Sequence, residues 1–377
     1  MSNSLIWKHP LDSKGILVPR PMNTMKQRGN VDHLSPSYDV DDEVLSGRID
    51  DMLEELKPYP HLDLIREVLV TGAKLAQEDC SRGDLKILRS SIKELRYAFK
   101  VFTDYRDVPK VTIFGSSRSQ PDDPAFQVAV ELGRKLAEDG YMVITGAGEG
   151  IMGAGHLGAG REKSFGLNIS LPFEQSANET IAGDRKLINF HYFFTRKLFF
   201  VKESKAVVLM PGGLGTQDEG FETLTLVQTG RSEPTPIVML DGPGGTYWKD
   251  WHQFFQNQLL AGGYVSPEDE SLFFITDDVE EARREILNFY SCYHSSRYVD
   301  HGQKLVLRLN QSLSEASIKS LNEEFQDIVL EGSIEACDPY QEERDEPDSL
   351  ELPRLSLSFN RRNFGRLRQF IDRINEF

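Results

Sequence analysis

Nine consecutive residues, Pro211-Gly-Gly-Leu-Gly-Thr-Gln-Asp-Glu219, bring three glycines, a hydroxyl and a carboxylate into one short stretch. Gly212, Gly213 and Gly215 can expose successive backbone N–H groups as an anion nest, and Thr216 adds a hydroxyl donor. No lysine follows, so this is not a Walker A loop. Glu219 falls about one turn into the helix expected after the loop, facing whatever the loop holds. On that helix Asp218 should point away from Glu219, whereas Glu222 lies one turn further along its face. A structural turn would explain the glycines, but less readily Thr216 and Glu219 together. Just upstream, Arg196 and Lys197 put two cations on the helix that feeds the strand before the loop. Taken singly, each reads as an ordinary surface residue.

A second glycine run, Gly146-Ala-Gly148-Glu-Gly150-Ile-Met-Gly153, satisfies G-x-G-x-x-G from Gly148 onward, between a strand and a helix. Such glycines let a backbone approach a ligand, and the helix start offers free N–H groups to an anion. A tight turn with no ligand accounts for them nearly as well. Glu174, beyond the next strand, sits where a ribose-binding acid would, which keeps a dinucleotide-binding oxidoreductase among the readings. The third element is Gly115-Ser116-Ser117, at the end of the apolar run Val111–Phe114.

The elements that must position these groups follow from periodicity. Apolar runs at 111–114, 141–145, 166–171, 206–210, 236–240 and 272–275 read as short buried strands. Helical stripes separate them, one of them Phe126, Val128, Ala129, Leu132 and Leu136, opened by Asp123-Pro124 and closed by Gly140. Asp277 with Glu280 reads as a capping box for a last helix. Short strands alternating with helices predict an α/β fold, a Rossmann-like parallel sheet covered on both faces, over about 109–291. Residues 1–41 lack an apolar period and read as a tail or arm, and 42–108 carries helical stripes. Residues 301–377 read as a small α+β module, ferredoxin-like or ACT-like, with strands at 305–309, 328–330 and 355–359 and a solvated acidic loop at Glu342–Asp348.

Composition narrows the function classes. The 377 residues are 39% hydrophobic and 27% charged, ordinary for a globular chain. A net charge of −16 repels polyanions and argues against nucleic-acid binding. Cys80, Cys292 and Cys337 are too few and too scattered for a disulfide framework or a zinc site. No apolar run reaches the ~18 residues that span a bilayer, and no signal-peptide core is visible at the start. The expectation is a soluble, cytoplasmic protein with no metal and no membrane partner.

Taken together, these motifs resemble the Lonely Guy (LOG) family of nucleotide phosphoribohydrolases, often labelled lysine decarboxylases. The family signature P-G-G-x-G-T-x-x-E is met in full by Pro211–Glu219, its Arg-Lys pair by Arg196-Lys197, and its early glycine turn loosely by Gly148–Gly153. The resemblance covers about 109–291 and does not extend to the flanking segments. It implies hydrolysis of the N-glycosidic bond of a nucleoside 5′-monophosphate, releasing free base and ribose 5-phosphate without a cofactor. Arg196 and Glu219 would be catalytic. Gly115, Ser116, Ser117, Gly148, Gly150, Lys197, Gly212, Gly213, Gly215 and Thr216 would bind substrate, the phosphate above all. It also implies a homodimer or higher homo-oligomer. A nucleotide-sensing protein that binds such a ligand without turnover is the alternative from another class.

Overall fold

Runs such as Val111-Thr-Ile-Phe114 and Ala206-Val-Val-Leu209 lack a polar face, so they persist only where helices cover both sides of a sheet. A computed structural model describes residues 43–170 and 176–377; the arm read over 1–41, and Glu174, lie outside them. The described residues divide into two compact units after Leu85. In the first, α1 (Glu43–Glu54) and α2 (Leu62–Gln77) bury Ile49, Leu53 and Val70 together. Arg66 ties the pair by contacts to Asp50 at 2.7 Å and Ser46 at 2.8 Å.

The second unit opens within α3 (Arg82–Thr103) and then alternates strand and helix. The order is β1 (Lys110–Phe114), α4 (Pro124–Glu138), β2 (Met142–Thr145), α5 (Ile151–Ala159), β3 (Ser164–Ile169) and β4 (Leu187–Phe190). It continues with α6 (Phe193–Lys202), β5 (Ala206–Leu209), α7 (Leu214–Gln228), β6 (Ile237–Leu240), α8 (Tyr247–Phe254), β7 (Phe274–Thr276) and α9 (Val279–Phe289). All seven strands pair in parallel in the order β4-β3-β2-β1-β5-β6-β7, a Rossmann-like sheet. Val111 and Ile113 pack with Leu132, Ala154 and Ile286 on one face, while Phe114, Ile144 and Phe165 meet Phe102, Phe199 and Trp248 on the other. The strand order reverses direction between β1 and β5, the place where open α/β sheets leave a crevice at their carboxyl ends.

Two local readings need correction. The cap of α9 is shifted by one residue: Asp278 accepts the Glu281 N–H at 2.9 Å, while Asp277 turns to the Gly244 N–H at 3.1 Å. The strand β4 was not anticipated because Asn189 interrupts its apolar run, Leu187-Ile-Asn-Phe190.

Beyond α9 a second sheet forms from β8 (Tyr293–Val299), β9 (Lys304–Leu309), β10 (Glu335–Ala336) and β11 (Arg354–Leu357). It is antiparallel in the order β10-β11-β9-β8, with α10 (Glu315–Phe325) after β9 and α11 (Phe364–Asn375) after β11. The chain therefore runs ββαββα, which is the βαββαβ ferredoxin-like sequence shifted cyclically by one βα pair. Polar β8, Tyr-His-Ser-Ser-Arg-Tyr-Val, carries too little apolar signal to be read as a strand. Residues 328–330 are not a strand either: a short 3₁₀ turn covers Gln326–Ile328, and Val329 makes a single bridge to Phe359.

The acidic loop is the largest correction. Glu343 is completely buried, 2.8 Å from Arg308 Nε and 3.0 Å from Arg354 Nη1, and Asp345 pairs with Arg297 at 2.6 Å. The Glu343 carboxylate thus faces two arginines that the sheet itself buries. Burial works against its charge, but the Tyr340 N–H and both arginines outweigh that and hold its pKa below 4.5. A depressed carboxyl pKa contributes stability above the unfolded value and loses it as pH falls below. Glu343→Gln is expected to cost about 3–5 kcal/mol, because the buried Arg354 loses its counter-charge and Arg308 keeps only Glu346. Urea unfolding at neutral pH checks this, and the deficit should shrink toward pH 3.

Candidate functional site

β5 ends beside β1, and the two exits are stapled by Ser116 N–H donating to Pro211 O at 3.1 Å. The chain then turns through Gly212 into α7, with Gly213 as its N-cap. Gly212 admits no side chain: a Cβ there would lie 2.1 Å from Thr216 Oγ1 and 3.0 Å from Ser116 N. Its carbonyl accepts from Tyr247 Oη at 2.6 Å, and that hydroxyl accepts in turn from Gln217 Nε2 at 2.6 Å. The first turn of α7 therefore presents its free N–H groups from a braced loop, which suits an anion. A cavity of about 600 Å³ opens on this turn, lined by Gly213, Leu214, Gly215, Thr216, Asp218 and Glu219. Gly115, Ser116, Ser117 and Arg118 line it from the end of β1.

The opposite wall is α6. Arg196 lies across Phe193 and Phe200, with its guanidinium carbon 5.0 and 5.4 Å from the ring centres. Its Nη2 stands 3.8 Å from Glu219 Oε1, too far for a full hydrogen bond, and its buried Nε has no partner among the described residues. Lys197 reaches three carboxylates of α7: Glu222 at 2.6 Å, Asp218 at 2.8 Å and Glu219 at 3.6 Å. Asp218 therefore does not point away, as helical spacing suggested. It lines the same cavity as Glu219, because a long lysine from the facing helix gathers both flanks of the α7 surface. Burial works against the charge of Lys197, yet hydrogen bonds to Asp218 and Glu222 hold its pKa above the ordinary value.

Glu219 is only 7% exposed. Burial pushes its pKa up from 4.5 to about 7, against the pull of Lys197 and Arg196. A carboxylate poised near neutrality in a cleft is the signature of a group that handles charge or protons during a reaction.

The second glycine run has a different place. Gly150 has φ +66° and a Cβ there would fall 2.3 Å from Ser116 O, so this glycine lets the α5 entry press against the end of β1. Ile151 N–H donates to Ser116 O at 3.0 Å, and Asn178 Nδ2 binds the carbonyls of Ala147 and Gly148, each at 3.0 Å. From this run Gly146 and Met152 line the cavity, whereas Gly148 and Gly150 do not. Lys197 and Gly212 also stand behind the lining rather than in it.

Arg118, Tyr247 and Glu94 are additions that sequence reasoning missed. Glu94, on α3, is 7% exposed and holds the start of α6: its Oε1 accepts from His191 N at 3.0 Å and its Oε2 from Thr195 Oγ1 at 2.6 Å. It thereby fixes the helix that carries Arg196 and Lys197. Among the described residues no group of three His, Cys, Asp or Glu is arranged to hold a metal ion. Nor is any helix long and apolar enough to cross a membrane.

The chain is similar to several known proteins. A family model described as "Possible lysine decarboxylase" matches residues 150–286. The cytokinin riboside 5′-monophosphate phosphoribohydrolase of Mycobacterium tuberculosis is 29% identical over 160 residues, 42% of this chain and 83% of that protein. A probable enzyme of the same name from Oryza sativa subsp. japonica is 33% identical over 164 residues, 42% of this chain and 63% of that protein. The solved structure of the protein TM1055 is 26% identical, covering 48% of this chain and 98% of that one with a TM-score of 0.34.

Proposed function

Because the chain belongs to the LOG family, we propose that it hydrolyses the N-glycosidic bond of a nucleoside 5′-monophosphate. The observation that carries this reading is one cavity holding both an anion cradle, Gly213–Thr216, and the buried carboxylate Glu219 one turn further along α7. The phosphate sits on the helix start, with Ser117 and Arg118 as further donors at the end of β1. The ribose then extends toward Glu219. Breaking the C1′–N bond sends its electron pair to the base and leaves oxocarbenium character on the sugar, which the ionised Glu219 stabilises. Water adds to C1′; Glu219 orients it and takes its proton, and a proton returns to the base. Arg196, anchored between two rings, holds the carboxylate and the sugar in place. A lysine decarboxylase working through a Schiff base needs a lysine that can lose its proton. Lys197, which three carboxylates keep charged, is poorly suited to that.

Incubating the full chain with a panel of nucleoside 5′-monophosphates should release free base and ribose 5-phosphate in equal amounts. Bound but unchanged nucleotide would make it a sensor instead. Nucleosides without the 5′-phosphate should be poor substrates, since a remote charge is what positions the reacting ribose.

The ionised form of Glu219 does the work, so kcat/KM should rise with pH through about 7. Lys197→Met removes the nearest positive charge that lowers this pKa, so the proton is held more tightly and the acid limb moves to higher pH. A pH profile with an unmoved limb would separate Lys197 from the ionisation of Glu219.

The enzyme is further proposed to be a homodimer or larger homo-oligomer in the cytoplasm. Phe193, Phe194 and Leu214, beside the cavity, are 51%, 57% and 90% exposed, an unusual apolar rim for a chain that stays alone. The unpaired cysteines suit a reducing compartment. Light scattering at micromolar concentration should return at least twice the chain mass, and a monomer would overturn the assembly.

A further inference from the structure

The strands that end in the catalytic cavity, β1 and β5, begin in a second one. At their amino ends a cleft of about 520 Å³ is lined by four cations, Arg106, Lys110, Lys202 and Lys205, by three acids, Asp107, Glu203 and Glu233, and by Tyr290 of the segment leading to the second sheet. A smaller cavity of about 180 Å³ adjoins it, sharing Pro109, Lys205 and Tyr290 and adding Tyr141, Tyr293 and His294. Strand length sets the two sites about 15 Å apart.

The charges in this cleft are partly committed. Lys110 is buried and donates to the carbonyls of Tyr105 and Val108 at 2.7 and 2.9 Å, and Lys202 pairs with Glu203 at 2.6 Å. Lys205 and Arg106 make no ion pair among the described residues, although the chain carries a net charge of −16. The Lys205 ammonium lies 5.4 Å from the centre of the Tyr290 ring, whose hydroxyl is fixed by the Lys205 carbonyl at 2.7 Å. Tyr293, 1% exposed, lines the smaller cavity, and its buried hydroxyl lies near the Ser296 side chain without reaching good hydrogen-bond geometry with any described residue. A buried hydroxyl left unpaired costs stability unless something reaches it. Glu233, in the same lining, is stabilised by the charges of Lys205 and Arg308 and by the Ser296 backbone, and its carboxylate disfavours a bare polyanion and favours a ligand with hydroxyl or amino donors.

We propose that this paired cleft binds a second nucleotide, distinct from the substrate. Its phosphate meets Lys205 and Arg106, its ring enters the tyrosine-lined cavity, and its sugar hydroxyls face Glu233. Two exposed cations outside any close ion pair, an aromatic wall and an under-satisfied hydroxyl line the two adjoining cavities, and none of them lines the catalytic cavity. A nucleotide supplies an anion, a flat ring and hydrogen-bonding groups in one molecule.

The test is calorimetric, uses the full chain and needs no turnover. Gly213→Asp, which puts a carboxylate in the catalytic cradle, confines nucleotide binding to the cleft. ADP should still bind this variant saturably. Adding Lys205→Met or, separately, Arg106→Gln should weaken binding by about tenfold or more, the loss expected for a hydrogen bond to a charged group. Both side chains are exposed, and circular dichroism verifies that each variant folds. Inorganic pyrophosphate and adenosine should each bind far more weakly than ADP. Absence of ADP binding to Gly213→Asp, or affinity unchanged by both cleft substitutions, would overturn the site. Pyrophosphate binding as tightly as ADP would overturn the ring-binding part.

Discussion

Glu219→Gln is expected to lower kcat by about 10²–10³-fold while leaving nucleotide affinity within a small factor of the parent. Glutamine keeps the shape and one carbonyl oxygen of the side chain but cannot carry the negative charge. That charge matters most when the C1′–N bond is stretched and the ribose is cationic, so the loss falls on the transition state and not on the ground state. In the proposed binding mode the phosphate rests about one helical turn away on backbone N–H groups of Gly213–Thr216, which the substitution does not touch. Repulsion between Glu219 and the substrate phosphate also disappears, so KM should stay level or fall. Single-turnover kinetics with a processed monophosphate reads kcat, and equilibrium binding reads affinity. Comparable turnover in the variant would remove Glu219 from the mechanism. The acid limb near pH 7 should vanish with it, because Glu219 is the carboxyl that burial lifts into that range.

How much of this was legible without a structure depends on whether the residues involved are neighbours along the chain. The end of β5, the turn at Gly212, the cap at Gly213 and the first turn of α7 are contiguous, so local backbone geometry alone sets Glu219 against the glycine loop. Parallel strands at Val111–Phe114 and Ala206–Leu209 were legible for the same reason: a short apolar run between helical stripes has few other uses. What stayed hidden was assembled from distant parts. Glu94 meets Thr195 across 101 residues, and Tyr247 reaches Gly212 across 35. Nothing local marks either one, since a glutamate on a helix is usually solvated and a tyrosine is usually half buried. Asp218 was misread because helical spacing describes one helix, whereas Lys197 comes from another.

The C-terminal region shows the same limit from the opposite direction. A run of Glu342, Glu343, Asp345 and Glu346 looks like a solvated loop, and most of it is. Glu343 alone is buried, because Arg308 and Arg354 occupy inward positions on β9 and β11 and require a counter-charge. Charge patterning along the chain does not reveal that demand, as it arises only when two strands pair. The glycine run at Gly148–Gly153 carried a dinucleotide-like spacing for a packing reason: Gly150 permits contact with the backbone of Ser116 and Ser117. Its glycines support the site from behind.

Gly213→Asp is the complementary experiment, and it should remove substrate binding while leaving the fold intact. Gly213 has φ −88° and ψ −156°, a conformation open to any L-residue, and a Cβ there has no atom within 4 Å. Aspartate is moreover a favoured N-cap, so its carboxylate can accept from the next N–H groups of α7 and interact well with the helix dipole. Those are the N–H groups and the positive potential that the phosphate would use. The variant thus fills the cradle with a resident anion, and the incoming phosphate meets both a missing donor set and a like charge. Losing two charge-assisted hydrogen bonds at about 1.5–3 kcal/mol each predicts a fall in kcat/KM of at least about 10²-fold, expressed mainly in KM. Thermal unfolding should show a melting temperature equal to the parent's or higher, which separates loss of the cradle from loss of structure. Gly213→Ala adds the same Cβ without the charge and should retain most of the activity. Full activity in Gly213→Asp would mean that the phosphate lies elsewhere in the cavity, with Ser117 and Arg118 as the groups to examine next.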